Sequence, residues 1–391
     1  MIMKDILASA KDIQTDIVKD RRYLHQNAEL KDELPITTAY VMKRLTEMGY
    51  EPKEICKSGV VATVGKGDKV FLLRADMDAL PMDEISGLDF ASTNGCTHSC
   101  GHDTHTAMLL GAAKLLKERE SELDGVVKLM FQPAEEFLSG ARAMIEAGVL
   151  EDPKVDAALA IHIMSGNESG LIHYTYGGSH GSADKYNIDI TGKGGHGASP
   201  HQCLDPVNAA CHVVIALNEI LSREVDANDT AILTVGAIQS GTKENIIPDT
   251  AFITGTIRTK KQAVRDFMKQ RVVEVSKAIA GAFRCECEVT FPFGVAPLEN
   301  DYALMDEILG YTRELLGEEN VQEKPGGMGS EDFSLVTQAV PGIFLSLGAQ
   351  ISDPNKVYAM HNPAVLFDED AFYVGTATYA NAAIQWLKNN K

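Results

Sequence analysis

Residues 97–116 read THSCGHDTHTAMLLGAAKLL. The first nine positions hold one cysteine, three histidines and an aspartate, and an apolar pattern of helical period follows. Two readings compete. Asp103 or Thr104 can cap a helix expected from about Asp103 to Glu120. Cys100 and His102, just upstream, stand where a turn can aim both side chains at one metal ion. A four-cysteine zinc knuckle is disfavoured, because Cys96 and Cys100 have no second close pair. The stretch by itself leaves the choice even.

Outward from it, short apolar strands alternate with helices. An amphipathic helix is expected over roughly residues 5–28, and ITTAYVMKRLTEMGY forms a second. GVVATVG (59–65) and KVFLLRADMDALP (69–81) read as strands; downstream, GVVKLMFQPAEE (125–136) reads as strand then loop and VDAALAIHIM (155–164) as a strand. This order implies an α/β fold with a largely parallel sheet covered on both faces. Near Ser182 the style changes. ADKYNIDITG, TAILTVGAIQSG, TAFITGTIRT and CECEVTFPF alternate like half-exposed strands, with two long helices among them, in the order βαββαβ. From Val295 the first style returns. The expected organisation is a first segment 1–182, an inserted α+β domain 183–293 and a second segment 294–391 of the first domain.

Bulk properties narrow the function classes. A length of 391 residues suits two domains. The formal charge of −19 argues against nucleic acid or an anionic membrane as partner. Seven scattered cysteines do not resemble a disulfide framework, the N-terminus lacks a signal-peptide core, and no apolar run is long enough to span a bilayer. A cytoplasmic location is therefore expected.

The strand ends carry the chemistry. FQPAEE places Glu135 and Glu136 on the loop after one strand, at the edge where open α/β sheets hold ligands. Neighbouring loop residues point apart, so one carboxylate can bind metal while the other acts as general base. AALAIHIM brings His162 to the same edge, RADMDALP brings Asp76 and Asp78, and YAMHNPAVLF supplies His361. Each has a bland reading as a solvated or core residue. Four strands delivering Asp, Cys/His, Glu/Glu and His to one edge is a rare coincidence.

RRYLHQNAEL, RADMDALP, CGHDTHTAMLLGAA, QPAEE, GKGGHGASPH, NIIPDTAFITGTIRT, MGSEDFS and HNP occur in this order. The chain resembles the amidohydrolase branch of the aminoacylase/carboxypeptidase family of two-metal hydrolases. Hippurate hydrolases, indoleacetyl–amino acid hydrolases and N-acetyl-diaminopimelate deacetylases are members. The likeness runs from Arg21 past His361, and CGHDTH with Glu135 placed 35 residues after Cys100 is its specific part. The resemblance implies Cys100, His102, Glu136, His162 and His361 as ligands of two divalent ions (Mn, Zn, Co or Ni), with Cys100 bridging. It implies Glu135 as base, Asp78 as the residue that orients the site, His196 at the oxyanion, and Asn245 and Arg258 on the substrate carboxylate. Asp76 stands where many wider relatives carry a metal-binding histidine, and its role stays open. The inserted domain is implied to be a lid and a homodimerisation surface, and no organic cofactor is needed.

The expected activity is hydrolysis of N-acyl-L-amino acids. A dipeptidase or carboxypeptidase on the same site is the near alternative, and a non-catalytic metal-holding protein a more distant one, disfavoured by the presence of Glu135.

Overall fold

The computed structural model describes residues 2–391, in two compact units. One runs to Gly177 and resumes over Asn300–Pro325 and Leu335–Lys391; the other comprises Gly178–Glu299 and Gly326–Ser334. The segment Gly326–Ser334, expected with the first unit, packs with the second.

The first unit opens with α1 (Ile2–Asp12), α2 (Gln14–Gln26) and α3 (Pro35–Glu47). The single helix expected over 5–28 is thus broken at Ile13, whose φ of −96° and ψ of 6° leave the helical region. Next to the break, the Gln14 side chain donates to the carbonyl of Glu369, a contact made to a distant part of the chain. Then come β1 (Lys53–Cys56), β2 (Gly59–Gly65), β3 (Val70–Asp76), α4 (His102–Glu118), β4 (Val126–Gln132), α5 (Gly140–Glu146), β5 (Ala157–Met164) and β6 (Ile172–Tyr174).

β7 (Gly177–His180) leads into the second unit, which holds β8 (Ala183–Thr191), β9 (Gly195–His196), α6 (Pro206–Arg223), β10 (Ala231–Ser240), β11 (Ile246–Ile247), β12 (Thr250–Thr259), α7 (Gln262–Ala282) and β13 (Glu286–Val295). After β14 (Leu298–Asn300) the first unit continues with α8 (Tyr302–Leu316), β15 (Val321–Glu323), α9 (Ser334–Ala339), β16 (Gly342–Gly348) and α10 (Phe372–Asn389).

The large sheet has the order β1-β2-β4-β3-β5-β16-β6-β15. Its centre, β4-β3-β5-β16, is parallel, and antiparallel pairs β1·β2, β2·β4 and β16·β6 lie on either side of it. Every residue of β3 and β4 is buried, as a strand covered on both faces requires. Hence VFLLRAD and VVKLMFQ read as continuous runs, and each charged member needs an internal partner. Lys128 finds its partners in the carbonyls of Val149 (2.9 Å) and Pro153 (2.7 Å). Burial still lowers its pKa to about 8.

In the second unit β10-β12-β8-β13 form an antiparallel sheet, and β9 and β11 pair as a short ribbon. α6 starts at Asp205, whose carboxylate accepts the Val207 and Asn208 N–H groups at 2.9 and 3.2 Å, with Pro206 at the first helical position. Tyr186, Ile188, Ile190, Ile253 and Ile257 from the strands pack with Val213, Leu217, Met268 and Val272 from the two helices. Among the described residues no helix is long and apolar enough to cross a membrane.

Candidate metal centre

The parallel topology sends β3, β4 and β5 in one direction, so their C-terminal ends share one edge of the sheet. Asp76 ends β3, Asp78 follows it, Glu135 and Glu136 follow β4, and His162 lies near the end of β5.

The start of α4 is not built as the motif suggested. Its N-cap is Gly101, at φ +83°, and no side chain caps the helix. Glycine is required there twice over: the backbone is left-handed, and a Cβ would stand 2.4 Å from Ile163 Cγ2. Thr104 Oγ1 donates back to the Gly101 carbonyl at 2.6 Å. Asp103 turns away to a buried cluster, accepting from Arg21 Nε (2.8 Å) and bonding His25 Nδ1 (2.8 Å). The far side of His25 meets Glu84 Oε1 at 2.9 Å. Two carboxylates around one imidazole, against burial and the Arg21 charge, raise the His25 pKa. Sequence reasoning missed this cluster, because RRYLH and Glu84 lie far from Asp103 along the chain.

Cys100 is the hub of the site. Its Sγ is 3.5 Å from His162 Nε2 and 3.2 Å from His361 Nε2. Two groups of potential ligands share it: Cys100, His102 and His162 in one, Cys100, Glu136 and His361 in the other. Both imidazoles of the first group are oriented through their other nitrogen. His102 Nδ1 donates to the Asp78 carbonyl (2.8 Å) and His162 Nδ1 to the Ile163 carbonyl (2.6 Å), which turns each Nε2 lone pair toward the hub. His361 is held in the left-handed region, φ +65°, by its N–H bond to the Ser99 carbonyl at 2.9 Å.

Asp78 arranges the acidic pair. Its Oδ1 accepts the Glu135 N–H at 2.8 Å and its Oδ2 the Glu136 N–H at 3.2 Å. Ala134, just before them, sits at φ +53°. From this bend Glu136 Oε1 reaches within 3.5 Å of His361 Nε2 and 3.9 Å of His102 Nε2, and Glu135 Oε2 within 3.8 Å of His102 Nε2.

The electrostatics of the site suit a cation. Burial, with Glu136 and Glu135 nearby, pushes the Cys100 thiol well up. Burial also raises Glu136, against the pull of His102 and His361. Burial opposes a charge on His102, yet Asp76, Cys100 and the Asp78 hydrogen bond outweigh it and raise its pKa. His162 moves the other way, lowered by burial and by His105. His102 Nε2 and Glu136 Oε1 are both buried without a hydrogen-bond partner. Buried ligand atoms that converge on one thiol and have no hydrogen bond of their own are matched to metal coordination. Thiolate, imidazole and carboxylate together suit first-row transition ions or zinc better than magnesium or calcium. The residues fit a pair of such ions.

The remaining expected site residues lie in the second unit. His196 is on β9, paired with Ile246 of β11, and Asn245 precedes β11, its carbonyl accepting the Gly197 N–H at 2.9 Å. The ribbon thus brings His196 and Asn245 together. The His196 Nδ1 accepts the Ala198 N–H at 3.0 Å, which leaves Nε2–H as the donor of the neutral ring. Arg258, on β12, donates through Nη1 to Ser330 Oγ (2.8 Å) and to the Ser182 carbonyl (3.3 Å).

The model of the peptidase family M20/M25/M40 matches residues 72–385. The chain belongs to this family. It is 36% identical over 397 residues to a thermostable carboxypeptidase 2 of Saccharolobus solfataricus, covering 98% of this chain and 99% of that one. It is 38% identical over 389 residues to an IAA-amino acid hydrolase of Arabidopsis thaliana, covering 97% and 88%. A crystal structure of a Bacillus subtilis protein, described as a dinuclear metal binding peptidase of the M20 family, superposes with a TM-score of 0.82 at 32% identity, covering 97% of this chain and 99% of that one. The family's fold and its dinuclear metal-binding member make this chain an enzyme, a metal-dependent amidohydrolase acting on small molecules.

Proposed function

We propose that the enzyme hydrolyses the amide bond of N-acyl-L-amino acids, releasing a carboxylic acid and a free amino acid. The observation that carries this reading is the shared Cys100 Sγ, flanked by two ligand groups, with Glu135 held beside them by Asp78. Cys100, His102 and His162 would hold one ion, and Cys100, Glu136 and His361 the other. Bound, the pair would supply Lewis acidity and lower the pKa of water toward neutrality. Which of Mn, Zn, Co or Ni serves is part of the proposal.

Glu135 is the proton carrier. Its backbone is fixed by Asp78 and its carboxylate is buried at the edge of the site. It takes a proton from the attacking water and returns it to the nitrogen of the departing amino acid. His196 donates its Nε2–H to the oxygen that gains charge during attack. Arg258 uses Nη1 for its protein contacts, and the rest of its fork suits the free carboxylate of an amino acid. Asn245 assists at the same group. The carboxypeptidase relative keeps a peptide bond as the second reading, and the similarity to an IAA-amino acid hydrolase favours the acyl conjugate.

The second unit also supports a homodimer. β10 is an edge strand with Ile232 and Ile238 exposed, and α6, packed beside it, exposes Ile215. Light scattering on the parent and on Ile238→Lys tests this: a parent dimer that the variant breaks is expected, and a parent monomer overturns it. A cytoplasmic setting accords with seven free cysteines.

The activity is tested by chelating the protein, restoring Mn, Zn, Co or Ni, and assaying N-acetyl-, N-benzoyl- and indoleacetyl-amino acids beside dipeptides. Metal-restored turnover of acyl-amino acids is expected. Turnover confined to dipeptides would replace this reading with a peptidase.

A further inference from the structure

Beneath the Cys100 hub, at the junction of β3 with α4, lies a second buried polar set. Ile163 N–H donates to His105 Nε2 at 2.8 Å, so the proton of this imidazole sits on Nδ1. Nδ1 meets Asp76 Oδ1 at 2.5 Å, and Arg74 Nη1 donates to Asp76 Oδ2 at 2.7 Å. Arg74 in turn is anchored through Nε on Gln132 Oε1 at 2.9 Å. Each oxygen of Asp76 has its own strong donor, and the carboxylate is therefore held as an anion in a place with no access to water.

That anion faces the metal centre. Asp76 Oδ2 stands 3.6 Å from His102 Nε2, a nitrogen with no hydrogen-bond partner among the described residues. On the other side, the His105 ring lies edge to face with His162, centroids 4.4 Å apart at 62°. Ile163 ties the two imidazoles together: its N–H holds His105 and its carbonyl, at 2.6 Å, holds His162 Nδ1.

We propose that Asp76 and His105 are positioning residues of the metal centre, Asp76 as the buried counter-charge facing His102 Nε2 and His105 as the support that fixes the ring of His162. The proposal rests on reading Cys100, His102 and His162 as one ligand group. A negative charge close to a donor nitrogen favours a cation on that nitrogen. A ring held by a neighbouring imidazole and by a hydrogen bond through its other nitrogen loses little freedom when it coordinates. Asp76 and His105 therefore act on one half of the centre, and the Cys100, Glu136 and His361 half is left alone.

The test is metal binding by the full chain. Parent, Asp76→Asn, His105→Phe, Thr106→Val and His162→Ala are stripped and titrated with Co2+. Bound metal is counted by mass spectrometry, and the thiolate-to-cobalt absorption band and thermal unfolding are recorded alongside. Asp76→Asn and His105→Phe are expected to keep one tight cobalt and to bind the second about 10- to 100-fold more weakly. His105→Phe keeps ring volume and leaves Asp76 paired with Arg74, so it carries the test if Asp76→Asn does not fold. Thr106→Val removes only the bond from Thr106 Oγ1 to the Asp76 carbonyl (2.7 Å) and is expected to bind both ions as the parent does. Two tight ions in a folded His105→Phe, or equal weakening in Thr106→Val, would overturn the proposal. Two tight ions in His162→Ala would instead sink the ligand reading on which it stands.

Discussion

The side chain of Asp78 accepts the backbone N–H of Glu135 at 2.8 Å, while its own carbonyl takes the proton of His102 Nδ1 at 2.8 Å. One residue therefore sets both the direction of the proposed base and the tautomer of a proposed ligand. Asp78→Asn keeps the shape but turns an amide N–H against one of two backbone donors. Metal affinity and kcat are each expected to fall about 10- to 100-fold. Metal content and turnover, measured on the same preparation, check this; an unchanged kcat would detach Asp78 from the site.

Glu135 and Glu136 are neighbours with separate expected duties. Glu135→Gln should retain both ions and lose about 100- to 10,000-fold in kcat. Glu136→Gln should lose an ion first. Metal counts with single-turnover rates separate the two, and a Glu135→Gln enzyme that turns over normally removes it as the base.

Backbone strain at the bend is testable without chemistry. Ala134 is buried at φ +53°, a conformation that costs a non-glycine residue about 1 kcal/mol or more. Ala134→Gly relieves this but exposes a more flexible unfolded chain, an opposing effect of about 0.4–1 kcal/mol. Little net change is therefore expected from glycine. Ala134→Val, branched at Cβ, should destabilise by about 2 kcal/mol or more. Denaturant unfolding of the chelated protein decides; a neutral valine would mean that the bend relaxes.

At Gly101 the space as well as the φ is closed. Gly101→Ala is expected to shift α4 and Ile163 together, lowering stability by about 2 kcal/mol or more and weakening metal binding. Unfolding and cobalt titration read the two effects, and full cobalt affinity in the variant would show that His102 does not depend on this turn.

His25 gives a pH signature. Its pKa is raised in the fold, so its contribution is fully present below the unfolded value of about 6.5 and is lost as pH rises through the folded one. Glu84 and Asp103 are lowered, chiefly against burial, by His25 and by Arg21 with His25 respectively, and their share is lost instead on acidification. The Tm gap between parent and His25→Gln should be widest near about pH 6 and narrow on the alkaline side. A gap independent of pH would show that His25 is not charged in the fold.

Much of this protein was legible before its structure. GVVATVG became β2 residue for residue, and the runs VFLLRAD, VVKLMFQ and AALAIHIM became the central strands, because strands covered on both faces must be apolar almost throughout. The convergence of Glu135, Glu136 and His162 followed, since parallel strands present their C-terminal ends together, and Cys100 and His102 join them from the start of α4. Tertiary structure decided the rest. Nothing local shows that Asp103 faces Arg21 and His25 rather than capping α4, or that the helix expected over 5–28 breaks at Ile13. The same holds for Asp76, shared between Arg74 two residues away and His105 on another element. Periodicity records which side of an element is buried. Which buried charge meets which is set by contacts between residues far apart in the chain, and those exist only once the sheet has formed.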